Sequence, residues 1–346
     1  MKRLSIIVPI HNAEPYIERC LRSIENQDIP KSEYEVVCIN DGSLDNSREI
    51  VKLLQEEFNN IILIDQNNKG VAVARNKGID SARGKYIMMV DADDYLKDNI
   101  LKEKLNTIEA YDLDIGISGY YILNQDLQEE YCYDPPHDPE NVLTGIEFDN
   151  KYQHGKSEIR DPHRSVAIFL KTGFINSQKL RYLAGVPYLE DGEFISRAIC
   201  LGQRVSFLNG PIYYRTTIPG SATKSRLRYS QRARDGFLKS AHNLLQFKHN
   251  RCINEEQQAF INQSIVHFTV SYLTTFEKLE YTKQYSKIYE LLKKGPLKKL
   301  ETIGCSKQYK RLANSYNFSI HTFYFFWWSV LLRKTLTIRL KKLFFF

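Results

Sequence analysis

The sequence predicts an α/β protein, a mostly parallel sheet flanked by helices and followed by a mainly helical C-terminal region. Three observations lead there. Short apolar runs alternate with helical patterns from Leu4 to Val90, and such alternation implies parallel strands joined by right-handed crossovers. Acidic residues end those runs at Asp41, at Asp65 and at Asp91-Ala92-Asp93-Asp94. In sheets of this kind ligands bind beyond the carboxyl ends of the strands. From Tyr229 onward the pattern turns mainly helical and more basic.

Each element has a local reason. Leu4 to Ile10 is nearly continuous apolar sequence, as a strand buried on both faces requires. Asn12 and Pro15 are helix-start signals, and Tyr16, Ile17, Cys20, Leu21 and Ile24 recur at helical spacing. Tyr34 to Ile39 is a second strand that runs into Asn40-Asp41-Gly42-Ser43. Ile50, Val51, Leu54 and Phe58 mark the buried face of the next helix. Ile61 to Ile64 is a third strand, and Gly70 opens a helix over Val71 to Ala82. Tyr86 to Val90 is the fourth strand, and it ends in the acid cluster. Asp114 to Leu123 and Val166 to Leu170 are further strands. Glu193 to Leu201 reads as a helix and Arg204 to Tyr214 as extended chain. Residues 124–164 are polar and turn-rich, with Pro135-Pro136 and Pro139, and read as a long loop or small insertion. A domain boundary near Thr223 separates an α/β domain, 1–223, with halves 1–110 and 111–223, from a helical region, 224–346.

The chain has 346 residues, 42% hydrophobic and 26% charged, the balance of a folded protein with ample core. Its net charge of +7 suits anionic partners without choosing among nucleotides, lipid surfaces and nucleic acid. The six cysteines are scattered with no Cys-x-x-Cys pair, which speaks against zinc and for reduced thiols in the cytosol. The N-terminal apolar run is too short for a signal peptide, and His11-Asn12-Ala13-Glu14 stands where a cleavage region would be.

Several clusters can carry chemistry, and each has a plainer explanation beside it. Asp91, Asp93 and Asp94 put three carboxylates within four residues. Like charges that close repel unless a cation is shared, and an all-oxygen set suits Mg2+ or Mn2+. A solvated Asp-rich turn explains the same run. Asp41-Gly42-Ser43 forms either a capping turn or a base-reading site. Gly70 to Gly78, with Lys69 and Arg75, offers an anion a helix N-terminus. It equally suits a small-residue helix packed on the sheet. Glu190-Asp191 begins a helix, where acids favour the dipole, and Asp191 can also serve as a general base. Arg215 and Ser221 flank a turn that could meet a diphosphate. His11 stacks on a base or caps a helix.

Taken in order, Ser5-Ile6-Ile7-Val8-Pro9-Ile10-His11, Asn40-Asp41-Gly42-Ser43, Gly70-Val71-Ala72-Val73-Ala74-Arg75-Asn76-Lys77-Gly78 and Val90-Asp91-Ala92-Asp93-Asp94 resemble the family 2 inverting glycosyltransferases of GT-A fold. The match is dense over 1–110, which the resemblance makes the nucleotide-sugar half of a catalytic domain, and sparser over the acceptor half, 111–223, through Glu190-Asp191 and the turn after Arg215. The resemblance implies these roles. Pro9 and His11 line the nucleotide pocket, and Asp41 reads the base. Arg75 lies near the base or diphosphate, Asp91 near the ribose or sugar, and Asp94 near the sugar or acceptor. Arg215 and Ser221 meet the donor. Asp93 ligates Mg2+ or Mn2+ through the Asp-x-Asp motif, and Asp191 is the catalytic base, with Glu190 beside it. Implied too is transfer from a nucleoside-diphosphate sugar, taken as a UDP-sugar, to a glycan or lipid-linked acceptor, with inversion and no nucleic acid partner. Two positions depart from the family pattern, His11 where an aromatic residue is usual and Asn40 where Asp is common.

The rival readings are weaker. A sugar nucleotidyltransferase needs a Gly-rich basic loop after the first strand, and a dinucleotide-dependent dehydrogenase needs Gly-x-Gly-x-x-Gly there. The chain has Pro9-Ile10-His11-Asn12 instead. A non-catalytic nucleotide-sugar-binding partner subunit is opposed by the presence of both Asp93 and Asp191. The tail, 318–346, combines a run of aromatics with Arg333, Lys334, Arg339, Lys341 and Lys342. The run is short for about 30 Å of hydrocarbon. It fits a helix lying on an anionic inner-membrane surface, and packing on the catalytic domain is the alternative. The expected location is therefore cytoplasmic, peripheral to the membrane.

Overall fold

The computed structural model describes residues 2–152, 166–217 and 226–329. The chain forms two compact units, Met1–Arg226 and Leu227–Phe346. In the first, strands and helices alternate as the sequence predicts: β1 (Leu4–Ile10), α1 (Ile17–Glu25), β2 (Tyr34–Asp41), α2 (Ser47–Glu57), β3 (Ile61–Gln66), α3 (Val71–Ser81) and β4 (Tyr86–Met89). β1 pairs in parallel with both β2 and β4, and β2 with β3. Leu4, Ile6, Ile7 and Val8 on β1 are fully buried, which explains its unbroken apolar run. The carboxyl ends of β1, β2 and β4 therefore share one edge, where His11, Asp41 and Asp91 follow.

The second half of this unit is mixed rather than parallel. It contains β5 (Tyr95–Leu96), α4 (Leu101–Ala110), β6 (Ile115–Leu123), β7 (Glu129–Tyr133), α5 (Gly145–Tyr152), β8 (Ile168–Lys171), α6 (Thr172–Ser177), α7 (Glu190–Leu201) and β9 (Val205–Thr216). The strand order is β3-β2-β1-β4-β8-β6-β9-β5, with β7 against β6. β6 runs parallel to β9, whereas β8 is antiparallel to β4 and β6, and β5 to β9. The region expected to be a loop thus supplies β7 and α5. β7 escapes sequence reading because none of its residues is fully buried, so it shows no apolar alternation. Its hairpin is set by Asn124, whose side-chain oxygen accepts from the backbone N–H of Asp126 and of Gln128.

Helix α3 lies close on the sheet through Ala72, Ala74, Gly78 and Ile79, all buried. A Cβ on Gly78 would sit 2.2 Å from Ile7 Cγ2. In an exposed helix Gly→Ala stabilises by up to about 1 kcal/mol; here overpacking, at about 1–3 kcal/mol, decides the sign.

The second unit is helical: α8 (Gln231–Arg251), α9 (Glu255–Leu273), α10 (Lys278–Lys293) and α11 (Lys307–Phe318), with a further helix over 320–329. Ser230 and Asn254 cap α8 and α9 by accepting from Ala233 N–H and Gln257 N–H. Buried Arg234 of α8 pairs with Glu280 of α10, and buried Lys248 with Glu301 and Asn262. All six cysteines are free.

Gly78→Ala is expected to lower unfolding free energy by about 1–3 kcal/mol in urea titration. An increase would show that α3 does not seat against β1 as described.

Candidate active site

Asp41 closes β2 and organises the loop that enters α3. Its Oδ1 accepts from Lys69 N–H and the Gln66 side-chain amide, and its Oδ2 from Gly70 N–H, each at 2.8 Å. Gly42, at φ +68°, makes the turn, and a Cβ there would lie 2.8 Å from Asn68 N. The carboxylate is 3% exposed and already holds three donors. His11 is exposed at the same edge, with Nδ1 3.0 Å from the Asp41 carbonyl oxygen. A carbonyl can only accept, so Nδ1 carries the proton. Nε2 then accepts from the side-chain amide of Asn68 at 3.2 Å. Pro9 is half-buried two residues before His11. Asn68 was not singled out by its sequence context. The two glycines that bracket the segment, Gly42 and Gly70, both at positive φ, are the signal that it approaches another loop.

Arg75 departs most from its sequence-based placement. Instead of facing an open phosphate site, it is buried and ion-paired twice, from Nη2 to Asp91 Oδ1 at 2.8 Å and from Nη1 to Glu190 Oε1 at 2.6 Å. The Tyr182 ring lies beneath the guanidinium at 5.2 Å and stacks on Phe194 of α7 at 4.1 Å. Burial works against the charge, but the fields of Asp91 and Glu190, with Asp191 contributing, outweigh it and hold the pKa above the ordinary arginine value. Arg75 therefore joins the end of β4 to the first turn of α7. Asp191 follows Glu190 there, half-buried, with Gly192 N–H donating to its Oδ1 at 2.8 Å. Leu189, at φ +61°, makes the sharp entry into the helix.

The three aspartates after β4 have three different environments. Asp91 is half-buried against Arg75. Asp94 is 3% exposed and turned inward, accepting from Tyr213 Oη and Thr216 N, both at 2.7 Å. Tyr213 Oη in turn accepts from Asp91 N–H at 3.1 Å. Burial, then Asp93 and Asp91, push Asp94 well above the carboxylate range, against those donors. Asp94 is thus a clasp between the acidic loop and β9, where the sequence reading seats it at the donor sugar. Asp93 is half-buried, and among the described residues no other side chain donates a hydrogen bond to its carboxylate. Burial and Asp91 raise its pKa to about 6, opposed by Arg215 and Arg19. Arg215 thus lies within electrostatic reach of Asp93. Ser221 lies outside the described residues. Tyr213, Thr216 and Tyr182 complete the site and carry no sequence signal beyond polar atoms in otherwise apolar runs.

Among the described residues no group of three or more His, Cys, Asp or Glu could hold a metal ion by itself. Asp93 nevertheless fits a cation. It is a half-buried acid whose pKa burial and Asp91 raise by more than Arg215 and Arg19 lower it. Mg2+ commonly takes one or two protein carboxylates and completes its shell with water and substrate phosphates. Asp93, with Asp91 beside it, matches that division.

Comparison with known proteins places the architecture and then the family. Staphylococcus aureus TarS 1-349 aligns with a TM-score of 0.66 at 20% identity, over 93% of this chain and 89% of that one. Its complex with UDP-GlcNAc aligns at 0.61 and 21%, over 84% and 80%. The fold is accordingly GT-A-like, a curled mixed sheet with flanking helices. Residues 5–172, just under half of the chain, match the sequence model described as Glycosyl transferase family 2. Among curated relatives, the uncharacterized glycosyltransferase EpsJ of Bacillus subtilis is 32% identical over 222 residues, 64% of this chain and 63% of EpsJ. TarS of S. aureus, a poly(ribitol-phosphate) beta-N-acetylglucosaminyltransferase, is 34% identical over 224 residues, 63% of this chain and 36% of TarS. Glycosyltransferase GlyA of Streptococcus pneumoniae is 29% identical, with 32% of its length covered. The chain thus spans less than two thirds of these relatives.

The raised pKa of Asp93 fixes a sign. The folded state binds its proton up to about pH 6, while an unfolded Asp releases it near pH 4. This group's effect on stability is therefore unfavourable and grows as pH rises from about 4 to 6. At neutral pH, Asp93→Asn is expected to raise the melting temperature without metal. Mn2+ is expected to raise that of the wild type and to leave the variant unmoved. Equal Mn2+ shifts in both proteins, read by differential scanning fluorimetry, would remove Asp93 as the ligand.

Proposed function

We propose that the chain is a metal-dependent inverting glycosyltransferase. It moves a sugar from a UDP-sugar to a hydroxyl of a lipid-linked or growing surface glycan, at the cytoplasmic face of the membrane. The observation that carries this reading is the Arg75 bridge. It holds Asp91, two residues from Asp93, and Glu190, next to Asp191, in one cluster. The match of residues 5–172 to the family 2 model supports sugar transfer. That TarS structures of the same fold hold UDP and UDP-GlcNAc supports the class of donor.

The chemistry follows from charge. His11, Asn68 and the Asp41 turn form the edge on which the base rests. Asp93, with Asp91, would hold Mg2+ or Mn2+. When bound with the donor, that ion offsets the charge that builds on the departing diphosphate. Arg75 compensates Asp91 and Glu190, so the donor's phosphates do not face uncompensated acids. Asp191 takes the proton from the acceptor hydroxyl, which attacks the anomeric carbon from the face opposite the leaving group. A single displacement inverts the centre and needs no covalent intermediate.

Asp191→Asn is expected to leave UDP binding within about twofold and to lower transfer by on the order of 10²-fold or more. UDP release from a panel of nucleotide sugars, with and without Mn2+, identifies the donor. Wild-type turnover in that variant would exclude Asp191 as the base.

A further inference from the structure

Charge is divided unevenly along the chain. Residues 227–346 carry 21 Lys and Arg against seven Asp and Glu, a net +14. Residues 1–226 carry 27 against 34, a net −7. The basic excess of the whole protein therefore belongs entirely to the helical unit. A nucleotide site in the first unit does not account for it.

The same unit displays aromatic surface. The helix over 320–329 buries Ile320, Phe323 and Tyr324 against its own unit. Tyr324 packs on Tyr281 of α10 with ring centroids 3.7 Å apart, and His321 stacks on Tyr285 at 4.3 Å. Trp328 also reaches Tyr281 at 6.0 Å and Tyr324 at 5.2 Å, and several rings stay accessible. Phe325 is 78% exposed, Phe318 at the end of α11 is 85% exposed, and Phe326, Trp327 and Trp328 are half-exposed. Tyr289 of α10, 40% exposed, extends the patch through Tyr285. Lys283 and Lys287 of α10 are exposed and make no ion pair among the described residues. A soluble surface rarely groups this much aromatic side chain. Exposed aromatic rings and unpaired lysines on one basic unit match a bilayer interface, where rings enter the headgroup boundary and ammonium groups meet lipid phosphates. No helix among the described residues is long and apolar enough to cross a membrane, so contact would be with the surface.

We propose that this face of the helical unit docks on an anionic phospholipid bilayer. Phe325, Trp327 and Trp328 enter the interface, and Lys283 and Lys287 contact headgroup phosphates. The inference locates the acceptor suggested by the functional reading, yet it stands on independent residues. The test uses the full chain and vesicles of phosphatidylcholine alone or mixed with an equal part of phosphatidylglycerol. Trp327 and Trp328 are the protein's two tryptophans, so its tryptophan emission reports on this patch.

With anionic vesicles the protein is expected to sediment and its emission to shift to the blue. With phosphatidylcholine alone, or at high salt, partitioning should fall roughly tenfold or more. Phe325→Ser, and Lys283→Glu with Lys287→Glu, should each weaken partitioning by a similar factor. Donor hydrolysis by these variants should stay at the wild-type rate, so failure here is distinct from failure of the transferase reading. The proposal is overturned by absent sedimentation, by sedimentation with unchanged emission, or by variants that sediment like wild type. A vesicle-indifferent dimer that Phe325→Ser converts to monomer would instead assign the face to a second copy.

Discussion

The site depends on one buried cation. Arg75 reaches from α3 to Asp91 on one side and Glu190 on the other. It thereby ties the parallel half of the sheet to a helix that begins about a hundred residues after it in sequence. Buried ion pairs seldom add net stability, because desolvation offsets the attraction. Removing one partner, however, leaves a charge stranded at a cost of about 3–5 kcal/mol. Such a bridge therefore enforces an arrangement more than it stabilises the fold. The arrangement enforced is the entry of α7, and with it the placement of Asp191. The stacked Tyr182 and Phe194 rings fill the space below the guanidinium, which restricts the ways it can turn.

The acid cluster shows how environment divides identical side chains. Asp91 is neutralised by Arg75, and Asp94 is folded inward onto Tyr213 and Thr216. The connection runs from Asp91 N–H to the Tyr213 hydroxyl and on to Asp94, so β9 fixes the loop at both ends. Asp93 feels Arg215 and Arg19 more weakly than it feels burial and Asp91, and its pKa is raised to about 6. Three carboxylates at one strand end thus resolve into one counter-ion, one structural clasp and one that accepts from no other side chain among the described residues.

Much of this was legible in the sequence, and the rest was hidden for physical reasons. Strands buried on both faces, such as Leu4–Ile10, announce themselves by uninterrupted apolar residues, and the parallel direction of the first four strands follows from their alternation with helices. The acidic ends and Asp191 on a helix start were legible for the same reason. β7 was not, because a strand with no fully buried residue has no apolar period. Nor could local pattern reveal that β8 would insert antiparallel between β4 and β6, since register and direction are set by distant partners. Arg75 was ambiguous, because a basic residue in the first turns of a helix reads as an anion site or as part of a solvated basic face, and only the fold brings it within 2.6 Å of Glu190.

The two units express the same economy of charge in opposite directions. The first brings Asp91 and Glu190 together on Arg75, beside Asp93 and Asp191, and carries a net −7 overall. The second has three times as many basic as acidic residues and offers exposed rings beside them. A soluble catalytic unit has no need of such a companion, because like charges at that density oppose compaction. An acceptor that never leaves a lipid surface would supply the reason. On the proposed reading, transfer to it would bring an acidic site near a negatively charged plane that repels it, and a basic, aromatic unit on the same chain would offset that repulsion.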